Sequence, residues 1–416
     1  MWSDPVLIVG AVACIAGVVA ALYAYLPYRA NTRAASQRQF VNERRYLGEN
    51  RSMLTAMALS AKNSLVLTGL PGMLSQEEWI SSDLIPIGQI SVDLNWEEPP
   101  DFDTHLRRSA SKMLPRAEPS GRFPNYSAAL GELARPSLFQ DLPCYRLLSA
   151  RLNQNGGAHI RVGMTSFFRG IDESEAVAHE FARASKARRG FARNKSLPSK
   201  LPIRTAVGNP FSSYERNMIF SISALTLRVD GATAKFFLHS RDSKAVAIAG
   251  NLLHLAPSGV FQPTSDDRQI ARRDCSPWLT LCREYAEEFL GVEEAQGAAG
   301  VALSYTHDQP YAAINNAYED GSFRVLVCGI GLDPLTLCPE LVAISCIDAS
   351  VFDSLFHDLV VRNSEGFIRG KEMRAGRVVG YDFSSQTVSD LLASKRLSPA
   401  AYAALSRAWK LRPTFM

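Results

Sequence analysis

Arg283-Glu284-Tyr285-Ala286-Glu287-Glu288-Phe289-Leu290-Gly291 is the stretch on which the reading of this chain turns. It closes the segment WLTLCREYAEEFLG (278–291), which reads as a helix ending at a glycine. On a helix, Glu284, Glu287 and Glu288 stand at i, i+3 and i+4 and share a face. Leu281, Tyr285 and Phe289, at i, i+4 and i+8, are expected on the opposite face, against a core. Like charges at this spacing repel by about 0.2–0.5 kcal/mol per pair. A bound hard cation turns that penalty into attraction, since Mg²⁺ takes carboxylate oxygens together with substrate phosphates. Arg283 can pair with Glu287 one turn on. An acidic surface helix without a ligand carries the same pattern, so the surroundings decide.

Upstream of that helix, MIFSISALTLRV and TAKFFLHSR are apolar or alternating and flank Asp230-Gly231, which predicts a β-hairpin. HLAPSGVFQP reads as a strand end with a turn at Gly259. A polar insertion, Thr264–Pro277, separates it from the carboxylate helix. FRVLVCGIGL and ELVAISCIDA read as two further buried strands, and two helices split near Ser398-Pro399 close the chain. His239 and His254 each follow an apolar run and read as strand-end residues. Upstream, Asp172-x-x-Glu175 looks like a capping box that opens a helix. Residues 97–143, rich in Pro and Arg, read as loops with short helices.

The order strands, glycine turn, RE-x-x-EE helix, glycine, strands resembles the Nudix box and its setting. That resemblance implies an α/β/α sandwich around a mixed sheet, an α+β fold. It implies Mg²⁺ or Mn²⁺ held by Glu284, Glu287 and Glu288 against a nucleotide or nucleoside-diphosphate derivative. Arg283 would orient the glutamates, and Gly259 would be the box glycine. Arg268, Arg272 and Arg273 in the insertion are expected to clamp phosphates. The sequence departs from the family pattern in three places. The arginine arrives about ten residues late after Gly259, Ser265 stands where a glutamate is usual, and Leu290 intervenes before Gly291. The runs CYRLLSARL, FFRGIDESEAVAHE, GIGLDPLTL and DASVFDSLF look like the large divergent Nudix-like modules of bacterial regulators and conflict systems, including membrane-anchored effectors of anti-phage signalling. Two functions follow as expectations: a metal-dependent pyrophosphohydrolase, or an inactive nucleotide sensor. The retained REYAEE suits metal binding in both, and the departures suit the sensor.

The N-terminus carries a different signal. Val6 to Leu26 contains 21 residues without a charge, and about 20 cross a bilayer core. Arg29, Arg33, Arg38, Arg44 and Arg45 follow it, so the expectation is one transmembrane helix with the bulk of the chain in the cytoplasm, at the inner (plasma) membrane. Ala13, Gly17 and Ala21 form a small-residue stripe through which two such helices would form a homo-oligomer. The expected organisation is an anchor at 1–28, a juxtamembrane helix at 29–62, an α+β part at 63–212 and a Nudix-like domain with C-terminal helices at 213–416.

Composition limits the alternatives. Lys+Arg 45 against Asp+Glu 41 leaves a net charge of +4, too small to argue for sequence-specific nucleic-acid binding. Seven cysteines without a CxxC pair exclude a disulfide scaffold and a zinc ribbon. Between Arg183 and Arg204 the chain holds eight cationic residues and no acidic one. Such a run serves either as a solvated loop or as a seat for an anionic partner.

Overall fold

β11 (Pro339–Asp348) shows how the main sheet is built. Its odd positions Leu341, Ala343 and Ile347 enter one core, and its even positions Val342, Ile344 and Cys346 enter a second core on the other face. A strand buried on both faces reads as a continuous apolar run, as ELVAISCIDA does. In the computed structural model, residues 5–61, 69–96, 104–118, 121–152, 157–188, 200–213, 216–241, 252–293, 303–362, 366–370, 372–374 and 377–416 are described.

In chain order the elements begin with α1 (Pro5–Glu49), α2 (Arg51–Ser60), β1 (Ile80–Pro86), β2 (Ile90–Asn95), α3 (Thr104–Met113), α4 (Tyr126–Leu133), β3 (Pro143–Arg151), β4 (Ala158–Ser166), α5 (Phe167–Arg188) and α6 (Pro202–Val207). The strands β5 (Ser221–Asp230), β6 (Thr233–Phe236), β7 (Leu238–Arg241), β8 (Leu253–Leu255) and β9 (Ser258–Val260) follow, then α7 (Arg268–Asp274), α8 (Pro277–Leu290), α9 (Tyr311–Glu319) and β10 (Phe323–Leu332). After β11 come α10 (Ala349–Leu355), β12 (Gly366–Arg369), β13 (Glu372–Arg374), β14 (Arg377–Val379), β15 (Tyr381–Asp382), α11 (Ser385–Ala393) and α12 (Pro399–Leu411).

The main sheet is mixed, in the order β1-β10-β11-β5-β6-β15, with β9 also paired to β5. β5 and β11 run parallel, and the other neighbours are antiparallel. The hairpin at Asp230-Gly231 joins β5 to β6. A register shift between Val327 and Gly329 moves β10 by one residue against β11. Val325 and Val327 before it, and Ile330 and Leu332 after it, therefore all enter the same core. That core holds α8 through Leu281, Tyr285 and Phe289, and the second core holds α12 through Ala400, Ala404 and Leu405. The chain is thus mixed α/β with several sheets. The main sheet spans the expected boundary at 212/213, since β1, from the upstream part, forms its edge. A second sheet, β2-β4-β3, is stitched on by the backbone bonds Leu147 N–H to Met218 O and Tyr145 N–H to Phe261 O.

Two sequence expectations do not hold in the structure. Among the described residues no helix is long and apolar enough to cross a membrane. This overturns the transmembrane anchor at 1–28 and the inner-membrane placement that rested on it. The apolar run is the first part of α1, which continues without a break to Glu49. The second part of α1 is polar and docks on α5 through Phe40, Glu43 and Leu47, so the helix does not end at the thickness of a bilayer. The side chains of Ala13 and Gly17 in the small-residue stripe lie outside the described residues. The second correction concerns the capping box. α5 begins at Phe167, five residues before Asp172. Asp172 instead accepts the Ser127 backbone N–H at the start of α4, 2.6 Å away. Glu175, fully buried, pairs with Arg44 of α1 and with Arg51 of α2, the latter at 3.0 Å.

Candidate functional site

α8 forms where the sequence places it. Ser276 caps its start by accepting the Leu279 N–H, Pro277 occupies the first turn, and Gly291 ends it in the left-handed conformation at φ +70°. The glutamates do not share one solvent face. At about 100° per residue, position 288 falls about 20° from position 281, seven residues earlier. Glu288 therefore sits beside Leu281 on the core side, 2% exposed, while Glu284 and Glu287 are half-buried. The expectation that all three stand opposite Leu281, Tyr285 and Phe289 is corrected on this ground.

The three carboxylates have different surroundings. Glu288 Oε1 accepts the Ser258 backbone N–H at 3.1 Å and lies 3.4 Å from His239 Nδ1. His239 is fully buried, and neither ring nitrogen has an aligned hydrogen bond among the described residues. The register of β7 on β8 sets His239 directly opposite His254, also buried. Glu284 sits against Gly259 of β9, where a Cβ would overlap its whole carboxylate group. Only the bare glycine backbone admits this approach. Glu287 lies close enough to Arg283 and Tyr311 for its charge to act on both.

The arginines divide in the same way. Arg283, 4% exposed, donates to the Tyr305 hydroxyl, to Gln262 O at 2.6 Å and to Thr280 Oγ1 at 3.2 Å. It ties α8 to the chain on either side of it. Burial works against its charge, yet Tyr305 and Asp274 nearby more than offset this and hold the guanidinium above its ordinary range. Burial likewise pushes the Tyr305 hydroxyl up to about 12, so it stays protonated. Arg273 binds its neighbour Asp274 through Nε and Nη2, at 2.9 and 2.7 Å, and stands over the Tyr305 ring. Asp274 is fully buried and also accepts from the backbone and hydroxyl of Thr264. Arg272 is exposed, and Arg268 lies over the Trp96 ring at 5.1 Å.

The structure therefore brings Glu284, Glu288 and Gly259 together at one corner between α8 and β9. Arg283 and Arg273 meet through Tyr305, and Arg268 stands apart on Trp96. Among the described residues no group of three or more His, Cys, Asp and Glu side chains is arranged to hold a metal ion. Glu288 is turned to Ser258 and His239, and Glu284 and Glu287 are half-buried. Ser258 and His239 are the residues that sequence reasoning missed. A period-2 reading marks His239 as a strand residue, but only the pairing of β7 and the packing of α8 bring it to Glu288. Comparison of the chain with family models and with curated proteins finds no match.

Proposed function

We propose that the corner between α8 and β9 binds the phosphate-linked part of a nucleotide or nucleoside-diphosphate derivative, and that it senses this ligand rather than turning it over. The observation that carries this reading is the Glu284 carboxylate seated on the side-chain-free backbone of Gly259. A carboxylate held against open backbone, beside a second half-buried one at Glu287, suits a hard cation that arrives with its ligand. Mg²⁺ commonly takes one or two carboxylates and completes its shell with phosphate oxygens and water. Glu284 and Glu287 would hold that ion, which would neutralise the phosphates of the bound nucleotide. The engagement of Glu288 by Ser258 N–H and of Arg283 by Gln262, Thr280 and Tyr305 supports binding over hydrolysis, because both side chains already serve the fold.

The test is a panel of dinucleoside polyphosphates and ADP-ribose, each with and without Mg²⁺. Melting temperature and release of nucleoside monophosphate are followed together. The expected result is a Mg²⁺-dependent rise in melting temperature for at least one compound, lost in Glu284→Gln/Glu287→Gln, with no monophosphate released. A response that survives the double replacement would remove the site from α8. Steady release of monophosphate would make the protein a hydrolase instead.

A further inference from the structure

A second polar site lies between the end of α1 and the end of α5. It is an open cleft of about 590 Å³ lined by Arg38, Gln39, Asn42, Glu43, Arg183 and Lys186, among others. Arg38 and Asn42 stand at i and i+4 on α1, and Arg183 and Lys186 at i and i+3 on α5, so each helix presents its pair on one face. Three cations thus face one carboxylate. That carboxylate, Glu43, is 7% exposed and already engaged: His179 Nε2 lies 3.1 Å from Oε2, and Gln39 donates to Oε1 at 2.7 Å. Arg183 reaches the same Oε1 only at 3.5 Å. Lys186 is oriented by the Asn42 carbonyl at 3.4 Å and by the face of the Tyr46 ring at 5.6 Å. Arg38 is exposed and has no ion pair among the described residues.

We propose that this cleft binds a small phosphorylated molecule, with Arg38, Arg183 and Lys186 holding the phosphate oxygens and the side-chain amide of Asn42 turned to its uncharged part. The volume falls in the range of small-molecule sites, and the three cations line one open cleft between two helices. Guanidinium and ammonium groups bind phosphate through charge-assisted hydrogen bonds that neutral ligands do not make. Because the ligand would touch both α1 and α5, its binding would also strengthen the docking of α1. The site needs no divalent cation and is independent of the carboxylate corner.

The probe is inorganic pyrophosphate, added to the full chain in EDTA so that no cation-dependent binding contributes. Acetylation of lysines is followed residue by residue by mass spectrometry, alongside melting temperature. Pyrophosphate is expected to protect Lys186 from acetylation and to raise the melting temperature, both weakening as salt is raised. Arg38→Ala and Lys186→Ala, at exposed positions, should melt like the parent chain without ligand. Each should bind pyrophosphate roughly tenfold or more weakly, the loss expected for a hydrogen bond to a charged group. Glu284→Gln/Glu287→Gln should retain the protection in full, which separates this site from the one on α8. The footprint on the unaltered chain decides the matter even if a variant misfolds. Absence of Lys186 protection at millimolar pyrophosphate overturns the proposal, as does protection lost in Glu284→Gln/Glu287→Gln. Co-sedimentation with phosphatidylserine vesicles that depends on Arg38 and Lys186, without any pyrophosphate effect, would make the face a lipid contact and overturn it too.

Discussion

Replacing Glu288 separates a structural carboxylate from a metal ligand. The side chain is 2% exposed, accepts a buried backbone N–H from Ser258 at 3.1 Å and lies 3.4 Å from buried His239. Glu288→Ala leaves the Ser258 N–H without this acceptor, at a cost of about 1–3 kcal/mol. It also leaves a gap beside Leu281 and strips His239 of its carboxylate. The total is expected at about 2–5 kcal/mol, the lost acceptor and the cavity together. Glu288→Gln keeps an oxygen for Ser258 and nearly the same volume. Its cost is the difference between a charged and a neutral acceptor, about 1 kcal/mol. Urea unfolding followed by circular dichroism measures both, with the slope checked for constancy. A solvent-facing carboxylate at position 288 would behave in the reverse way, each replacement costing under about 0.5 kcal/mol. If Glu288→Ala is that mild while the Mg²⁺ response disappears, Glu288 is a metal ligand and not a structural carboxylate.

Gly259→Ala places a methyl group on the Glu284 carboxylate and forces that side chain into another rotamer, which costs about 0.5–1.5 kcal/mol. The Mg²⁺-dependent rise in melting temperature with nucleotide should fall by far more than this modest loss implies, and an undiminished response would detach Glu284 from the ligand. Glu175→Ala, which strands the buried guanidinium of Arg51 and removes the partner of Arg44, should destabilise by about 3–5 kcal/mol in the same urea assay. Asp172 concerns pH: burial raises its carboxyl from 3.8 to about 6, against the hydrogen bond from Ser127. A raised folded value means that the native state favours the protonated acid. The stabilisation from that proton is complete below pH 3.8 and is lost as pH rises through about 6. Asp172→Asn should therefore match the parent chain near pH 4 and exceed it by about 1–3 kcal/mol at pH 7, at 1.36 kcal/mol per pKa unit. Equal stability of the two chains at pH 7 would contradict the burial argument.

The local signals in the sequence are strong because they arise within one turn or one hairpin. Ser276-Pro277 and Gly291 mark the ends of α8, Asp230-Gly231 marks a hairpin, and the unbroken apolar runs of β10 and β11 mark strands covered on both faces. Each depends on residues a few positions apart, whose backbone preferences act before any tertiary contact forms. The role of each carboxylate depended on more. Spacing of i, i+3 and i+4 correctly groups three glutamates, but the group spans about 100° of helix, and only packing against β5 and β9 decides which end of that arc is buried. That packing sent Glu288 to Ser258 and His239, Glu284 to Gly259, and Arg283 to the carbonyl of Gln262. The fates of Asp172 and Glu175 were set in the same way. Their partners Ser127, Arg44 and Arg51 lie 45, 131 and 124 residues away along the chain. Hydropathy alone made residues 6–26 look like a segment that stops at membrane thickness. The structure carries them instead in a 45-residue helix whose far half is docked on α5, because burial of Phe40 and Leu47 and the ion pairs of Glu43 with Arg183 and of Arg44 with Glu175 are long-range contacts that no local window contains.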